Sequence, residues 1–236
     1  MSQKAVFLAA GMGTRLLPLT EKRPKPLVKV AGKRIIDTTI KACLSAGIDE
    51  IYIVRGYLAD AFDELKKDYS NIQFIENPDW AVSNNIASIV YASDLLENVY
   101  IIEGDLYLQN PDLITPYQKE SAYVSIPIEK TDDWCFYTDN EGYITQMSVG
   151  GEDCELMVGI SYWTKEDGRK LAEYARKLYR EEKYHNLYWD QIALEIYLSE
   201  FKVKTRRCGK NDVIEIDTVD EHRRLEEKLN GAKNTP

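Results

Sequence analysis

The sequence predicts an α/β fold in which a mostly parallel sheet is sandwiched by helices and carries a small antiparallel extension. In the first half of the chain, short apolar runs rich in β-branched residues alternate with helical patterns, which is typical of a parallel sheet covered on both faces. After about residue 120, strand patterns follow one another with only turn residues between them, which is typical of antiparallel pairing.

The alternation in the first half is Rossmann-like. In chain order, the predicted elements are a strand at 5–10, a helix at 35–46, a strand at 51–56, a helix at 58–68, a strand at 72–76, a helix at 85–95 and a strand at 99–105. Ligands of such sheets bind beyond the carboxyl ends of the strands. The glycine-rich stretch after the first strand and Asp105 at the end of the last one both fall at that edge.

The antiparallel extension is expected over about residues 120–165, as one wall of a pocket. Its predicted strands lie at 122–128, 134–149 and 155–163, and the sequence TDNEGY inside the second indicates a hairpin turn. Predicted helices at 165–181 and 187–199 follow. A last strand leads into a final helix, where Thr218 and Glu221 have the spacing of a capping box.

Length and composition limit the classes of protein to consider. The 236 residues, 44% of them hydrophobic, suffice for one domain, which we expect to span 1–229 before a disordered tail at 230–236. A net charge of −9 argues against nonspecific binding to nucleic acid or to an anionic membrane. Scattered cysteines and the lack of an apolar leader predict a cytoplasmic protein. No pattern indicates the oligomeric state.

The stretch FLAAGMGTRLLPLTEKRPKPLV, residues 7–28, indicates a phosphate site. Glycines directly after a buried strand let backbone N–H groups approach phosphate oxygens, and the flanking cations add positive charge. Because no Gly-Lys-Ser/Thr follows Gly11 and Gly13, the stretch is not a P-loop. Leu16 in place of a third glycine, and Lys33 where an acid would hold a ribose, argue against a dinucleotide site.

The segment LAAGMGTRLLPLTEKRPKPLVKVAGKRII, residues 8–36, resembles the signature of the nucleoside-triphosphate transferases. This family includes sugar-1-phosphate nucleotidyltransferases and bacterial phosphocholine cytidylyltransferases. Further segments occur in the order seen in the phosphocholine branch: GIDEIYIVRGY, SNNIAS, EGDLYL, GISYW, LYWD and EIDTVDEHRRLE. The resemblance therefore covers almost the whole chain.

The resemblance implies an enzyme that transfers CMP from CTP to a small phosphorylated amine, with phosphocholine as the expected acceptor and Mg²⁺ as the cofactor. It implies catalytic roles for Lys25, Arg15 and Asp105, and it implies Asp105 and Asp190 as metal ligands. The residues that it implies for nucleotide binding are Ala9, Ala10, Gly11, Met12, Gly13, Thr14, Arg15, Asn84, Asn85 and Ser88. Helix capping is the alternative role for Asn84.

Other acceptors and another class of protein stay open. 2-Aminoethylphosphonate offers much the same chemistry as phosphocholine, and a sugar 1-phosphate is the further alternative. A catalytically silent nucleotide-sensing domain would also keep the glycine-rich stretch. The joint presence of Lys25, Asp105 and Asp190 favours an enzyme, because binding alone does not need a pair of carboxylates.

Aromatic residues near carboxylates, in the antiparallel extension and in the segment LYWD, suit an ammonium head group through cation–π attraction and opposite charge. The predicted acceptor-binding residues are Asp132, Asp133, Trp134, Tyr137, Tyr188 and Trp189. Core packing is the alternative role for Trp189.

Overall fold

The structure, a computed structural model, describes residues 3–233 of the chain. Its strands are β1 (Lys4–Ala9), β2 (Lys29–Val30), β3 (Lys33–Arg34), β4 (Glu50–Arg55), β5 (Ile72–Glu76), β6 (Val99–Glu103), β7 (Leu106–Leu108), β8 (Ala122–Thr138), β9 (Ile144–Trp163), β10 (Lys204–Arg207) and β11 (Val213–Glu215). Its α-helices are α1 (Ile35–Ser45), α2 (Ile86–Tyr91), α3 (Lys165–Tyr179) and α4 (Val219–Lys233). Turns of 3-10 helix span Thr14–Leu16, Lys25–Leu27, Ala59–Lys67, Ser93–Leu95, Pro111–Leu113, Glu182–Tyr184 and Leu198–Glu200.

The central sheet has the strand order β10-β8-β9-β6-β1-β4-β5. Strand β1 pairs in parallel with β4 and with β6, β4 pairs in parallel with β5, and β10 pairs in parallel with β8. Strand β9 pairs antiparallel with both β6 and β8. The predicted mostly parallel sheet with an antiparallel part is confirmed.

Helices cover both faces of this sheet. On one face, Phe7 and Ile53 of the sheet pack in a buried cluster with Ile36 and Ile40 of α1. On the other face, Val6 and Leu8 share a cluster with residues of α2 and α3. Because both faces are covered, β1 is apolar from Ala5 to Ala9 rather than alternating, which is typical of a parallel strand at the centre of a sheet.

The antiparallel extension consists of two long strands, β8 and β9, where three shorter strands were predicted. Register shifts along the pair let the strands bend without ending, so the polar residues at 129–133 lie within β8. The predicted hairpin turn is confirmed: Asp139 accepts from the backbone of Gly142, whose φ is +86°.

The predicted helix at 187–199 is instead a π-helical turn at Ile192–Ile196 followed by the 3-10 turn at Leu198–Glu200. The consecutive residues Ile192, Ala193 and Leu194 are all buried, and a regular α-helix would spread them over too wide an arc to share one face. The predicted helix at 58–68 is a 3-10 helix.

The capping box of the final helix is confirmed, since the backbone N–H of Thr218 donates to Glu221 and the backbone N–H of Glu221 donates to the Thr218 hydroxyl. Helix α4 continues through Lys233, so residues 230–233 do not belong to the predicted tail. Residues 234–236 lie outside the described residues. No helix within residues 3–233 is both long and apolar enough to cross a membrane.

Candidate active site

A cavity of about 420 Å³ lies at the carboxyl ends of the strands, as predicted. Most of the residues implied for nucleotide binding line it: Ala9, Ala10, Gly11, Gly13, Thr14, Arg15, Asn84, Asn85 and Ser88. The implied catalytic residues Lys25 and Asp105 line it as well. Met12 does not line this cavity, and its side chain is 44% exposed.

The glycine-rich stretch folds tightly around the stem of Lys25. Gly13 has a φ of +60°, and a Cβ atom at this position would lie 2.9 Å from the Cβ of Lys25. The carbonyl oxygen of Gly13 accepts a hydrogen bond from the Thr20 hydroxyl at 2.9 Å. Glycine is required here both by the left-handed backbone and by the close approach of the lysine.

The ammonium group of Lys25 lies between two carboxylates. Its Nζ donates to Asp105 Oδ2 at 2.9 Å and to Asp217 Oδ1 at 2.6 Å, while Arg15 forms an ion pair with the second oxygen of Asp217 at 2.9 Å. Burial lowers the pKa of Lys25, but the carboxylates outweigh burial and the pKa lies above its usual value. Lys25 is therefore charged at physiological pH.

Asp105 and Asp217 meet because of a short strand pair. Strand β7, directly after Asp105, pairs antiparallel with β11, and Glu215 lies opposite Leu106. The backbone N–H of Ile216 donates to the Asp105 carbonyl. This pairing carries Glu215 and Asp217 to Asp105 from more than a hundred residues along the chain.

Asp105, Glu215 and Asp217 form a group that fits a divalent cation. Each offers a carboxylate oxygen, and these atoms lie within 4.8 Å of one another. Oxygen Oδ1 of Asp105 is buried without a hydrogen-bond partner, which is costly unless a cation or water contacts it. Glu215 itself is exposed, and desolvation of its carboxylate, followed by the charges of Asp105 and Asp217, raises its pKa above the usual value.

A second cavity of about 490 Å³ adjoins the first. The residues that line both cavities are Arg15, Asn85, Glu103, Asp105, Tyr188 and Asp217. The second cavity is also lined by the predicted residues Asp133, Trp134 and Asp190 and by two methionines. The rings of Trp134 and Tyr188 pack edge to face with centroids 5.6 Å apart. The wall of this cavity therefore combines aromatic and thioether groups with carboxylates.

The remaining predicted acceptor-binding residues lie elsewhere. Trp189 is a core residue, 1% exposed, that packs edge to face against Trp163, so the alternative role is the one that the structure supports. Asp132 and Tyr137 line neither of the two cavities. Trp189 contributes to the site indirectly, because its indole N–H donates to Glu103 at 3.0 Å.

Asp190 does not belong to the group formed by Asp105, Glu215 and Asp217, although it lines the second cavity with all three. It is 3% exposed, and its Oδ1 accepts a hydrogen bond from the Tyr123 hydroxyl at 2.8 Å. Burial raises the pKa of Asp190 to about 7. The structure brings Asp217 to Asp105 through their shared contact with Lys25, and the role of Asp190 as a metal ligand, which the resemblance implies, stays a prediction.

Glu103, Glu215 and Asp217 were not predicted as site residues. Burial, followed by the charges of Asp105 and Asp190, raises the pKa of Glu103 well above its usual value. The sequence does contain a signal for these residues, since EGD and EID each place two acids at the end of an apolar strand. Only the pairing of β7 with β11 makes the two motifs neighbours.

Comparison with known proteins shows the family and the fold. The sequence profile of the family described as Nucleotidyl transferase matches residues 4–125. The chain is 34% identical to the 2-aminoethylphosphonate cytidylyltransferase of Lancefieldella rimae, over 92% of this chain and 89% of the relative. It is 33% identical to the choline-phosphate cytidylyltransferase of Streptococcus pneumoniae, over 96% of this chain and 98% of the relative. The solved structure of the CTP:phosphocholine cytidylyltransferase from Streptococcus pneumoniae superposes with a TM-score of 0.91 at 33% identity, covering 97% of this chain and 100% of that one.

Proposed function

Because the chain belongs to the nucleotidyl transferase family, we propose that it transfers CMP from CTP to a small phosphorylated amine, with phosphocholine as the acceptor. The products are CDP-choline and pyrophosphate. The observation that supports this proposal most directly is the shared wall of the two cavities, at Arg15, Asp105 and Asp217.

The shared wall suits a reaction between two phosphates. With CTP in the first cavity and the acceptor in the second, the α-phosphate and the acceptor phosphate would meet there. A phosphate oxygen of the acceptor bonds to the α-phosphorus while the bond to the bridging oxygen of pyrophosphate breaks. The attacking oxygen is already anionic, so no protein base is needed.

Catalysis then consists of positioning two anions and neutralising their charge. Lys25 is charged and fixed by its contacts, and Arg15 lies beside the same carboxylate. Backbone N–H groups of the glycine-rich stretch would hold the outer phosphates of CTP. These groups favour the transition state because they are in place before charge develops on the leaving pyrophosphate.

A Mg²⁺ ion fits the carboxylate group that contains the unpartnered oxygen of Asp105. Asp105 and Asp217 would hold it, with Glu215 as the adjacent acid. The ion would supply charge neutralisation to the phosphates of CTP and to pyrophosphate.

The aromatic and thioether groups that line the second cavity support a quaternary ammonium as the head group. Trp134 and Tyr188 offer aromatic surface, Met147 and Met157 offer polarizable apolar surface, and Asp133 adds negative charge. 2-Aminoethylphosphonate is the second candidate, favoured by the relative that is 34% identical. Its primary ammonium carries three N–H donors, which carboxylates satisfy better than aromatic faces do.

The test is Mg²⁺-dependent release of pyrophosphate from CTP with phosphocholine, phosphoethanolamine, 2-aminoethylphosphonate and glucose 1-phosphate, repeated with UTP and dTTP. We expect release with CTP and phosphocholine. A preference for 2-aminoethylphosphonate would establish the second candidate. Release only with UTP or dTTP and the sugar would overturn the proposal, and no release from any pair would support the nucleotide-sensing domain.

A further inference from the structure

Trp80 lines the first cavity and has no role in the proposed chemistry. Its side chain is half-buried, so part of the indole remains accessible from the cavity. It follows β5 in the segment NPDWAVSNN, and its neighbours on this wall include Asn77, Ser83 and Ser88. These neighbours are polar and uncharged, unlike the groups around Lys25.

The strand order separates the strand that precedes Trp80 from the strand that precedes Asp105. Along the carboxyl edge, Asp105 follows β6, the glycine-rich stretch follows β1, and Trp80 follows β5, with β4 between β1 and β5. Neighbouring strands lie about 4.8 Å apart, so the ends of β6 and β5 are separated by about 14 Å. The first cavity therefore has a charged end and an uncharged end that contains Trp80.

Trp80 is fixed in this position by the residues after β4. The ring of Tyr57 packs edge to face against the indole at 5.6 Å. A Cβ atom on Gly56 would lie 2.6 Å from the Cβ of Trp80, so only glycine admits the tryptophan at this distance.

Tyr57 also connects Trp80 to the glycine-rich stretch. Its backbone N–H donates to the carbonyl of Ala10 at 3.0 Å. Its hydroxyl lies within hydrogen-bond distance of the carbonyls of Thr20 and Glu21, at 3.1 and 3.2 Å. Through its backbone and its side chain, Tyr57 thus sets the spacing between the glycine-rich stretch and the indole of Trp80.

The other flank of the segment is held by helices. Asn77 donates from its side chain to the Ser88 hydroxyl at 3.1 Å, and Asp79 accepts from the hydroxyls of Tyr91 and Tyr179 at 2.7 and 2.6 Å. The wall that contains Trp80 is therefore held by hydrogen bonds between groups of the protein itself, and such support lowers the cost of binding a ligand there.

We propose that the nucleobase of the bound nucleotide packs against the indole of Trp80, and that Tyr57 positions this indole. The inference rests on the proposed function in taking a nucleoside triphosphate as the ligand. The phosphates occupy the charged end, so the base occupies the uncharged end, where an aromatic surface and polar side chains are available. Every base has a π-face, so Trp80 contributes affinity without choosing the base. The choice of base then falls to the polar groups of the same wall.

The test is quenching of tryptophan fluorescence by CTP without acceptor, alongside calorimetric binding of CTP and UTP. Of the other tryptophans, Trp134 lines the second cavity, and Trp163 and Trp189 are buried at 0% and 1% exposure. We expect Trp80→Phe to abolish most of the quenching, and the matched Trp134→Phe variant to retain it. Trp80→Ala is expected to weaken CTP and UTP binding by the same factor, about tenfold.

Two further variants separate stacking from a purely structural role. Trp80→Phe retains an aromatic face and is expected to recover most of the affinity that Trp80→Ala loses. Tyr57→Phe retains the ring contact but loses the hydroxyl, and it is expected to raise KM for CTP with kcat unchanged. Melting temperatures identify any variant that is unfolded. If Trp80→Ala is unfolded, the quenching measurement on Trp80→Phe alone tests the inference.

The outcomes distinguish this inference from the proposed function. Suppose that the unmodified protein binds CTP, that CTP quenches Trp80→Phe as much as it quenches the unmodified protein, and that Trp80→Ala binds CTP equally well. The inference is then wrong, and the proposed function stands. If the unmodified protein binds no nucleotide by calorimetry, both are wrong. A change in the ratio of CTP to UTP affinity in Trp80→Ala would contradict the stacking role.

Discussion

The ammonium nitrogen of Lys25 lies 2.6 Å from a carboxylate oxygen of Asp217, and this contact joins the glycine-rich stretch to the strand before the last helix. Asp217 also pairs with Arg15, so two cations that line the first cavity converge on one carboxylate. These ion pairs satisfy the charges of Lys25 and Arg15 with groups of the protein itself. The site is thus organised by the same groups that we propose for catalysis.

Lys25→Met should reduce turnover by about 100-fold or more, because a preorganised positive charge at the reacting phosphates is lost. The neighbouring Lys29 is exposed, so Lys29→Met is the matched control and should keep its activity. The measurement is steady-state pyrophosphate release at saturating CTP and acceptor. Turnover of Lys25→Met within tenfold of the unmodified enzyme would remove Lys25 from the catalytic residues.

Asp217→Asn should raise the Mg²⁺ concentration needed for half-maximal turnover by about tenfold or more, since Asp217 belongs to the group around Asp105. Asp190→Asn should have a smaller effect, because Asp190 lies outside that group and is already bonded to Tyr123. Direct titration of each variant with Mn²⁺ in the presence of CTP separates metal binding from turnover. The reverse order of effects would support the pairing of Asp105 with Asp190 that the resemblance implies.

Asp190 should make the metal-free protein less stable as the pH rises. Burial raises its pKa to about 7, above the value of about 3.9 expected in the unfolded chain, so the folded state holds the proton more tightly. The free energy of unfolding therefore falls progressively as the pH rises from about 4 to the folded-state pKa of about 7, and it changes little above that.

Asp190→Asn replaces the carboxylate with a neutral group that can still accept from Tyr123. The stability that it gains over the unmodified protein should grow between pH 5 and pH 8 by on the order of 2 kcal/mol, or roughly 4–8 °C in melting temperature. The check is a series of thermal melts in the presence of a chelator, with the exposed Asp132→Asn as control. A gain that does not depend on pH would contradict the buried, titrating carboxylate.

Local sequence was sufficient to predict the residues whose roles depend on their immediate neighbours. Gly13 and Lys25 lie in one continuous stretch, and Asp105 follows directly from an apolar strand, so the position of each relative to the sheet edge could be inferred. The hairpin turn and the capping box were predictable for the same reason, because each is set by residues three to five apart.

Sequence was insufficient where a role depends on contacts between distant segments. Asp217 reaches Asp105 only through the pairing of two strands of three residues each, which are too short to show a periodic pattern. The segment LYWD predicts Trp189 in the acceptor site because it is an aromatic residue beside a carboxylate, but successive residues of a turn point in different directions. Tyr188 faces the cavities, whereas Trp189 enters the core.

Asp132 and Asp133 are adjacent exposed acids of which only Asp133 lines the second cavity, so they form a matched pair for testing the acceptor site. Asp133→Asn should raise KM for the acceptor by roughly threefold to tenfold, because one attractive charge for the ammonium group is lost near the surface. Asparagine can still accept the hydrogen bond that Asp133 receives from the backbone of Trp134 at 2.7 Å, so the local fold is kept.

The effect of Asp133→Asn should shrink as salt is added, since the lost interaction is electrostatic and partly exposed. Asp132→Asn should change KM by less than about twofold, because Asp132 does not line the second cavity and its charge is screened by solvent. The measurement is KM for the preferred amine at saturating CTP, at low and high ionic strength. Equal effects of the two variants would mean that a general surface charge attracts the acceptor, and that Asp133 does not contact it in the cavity.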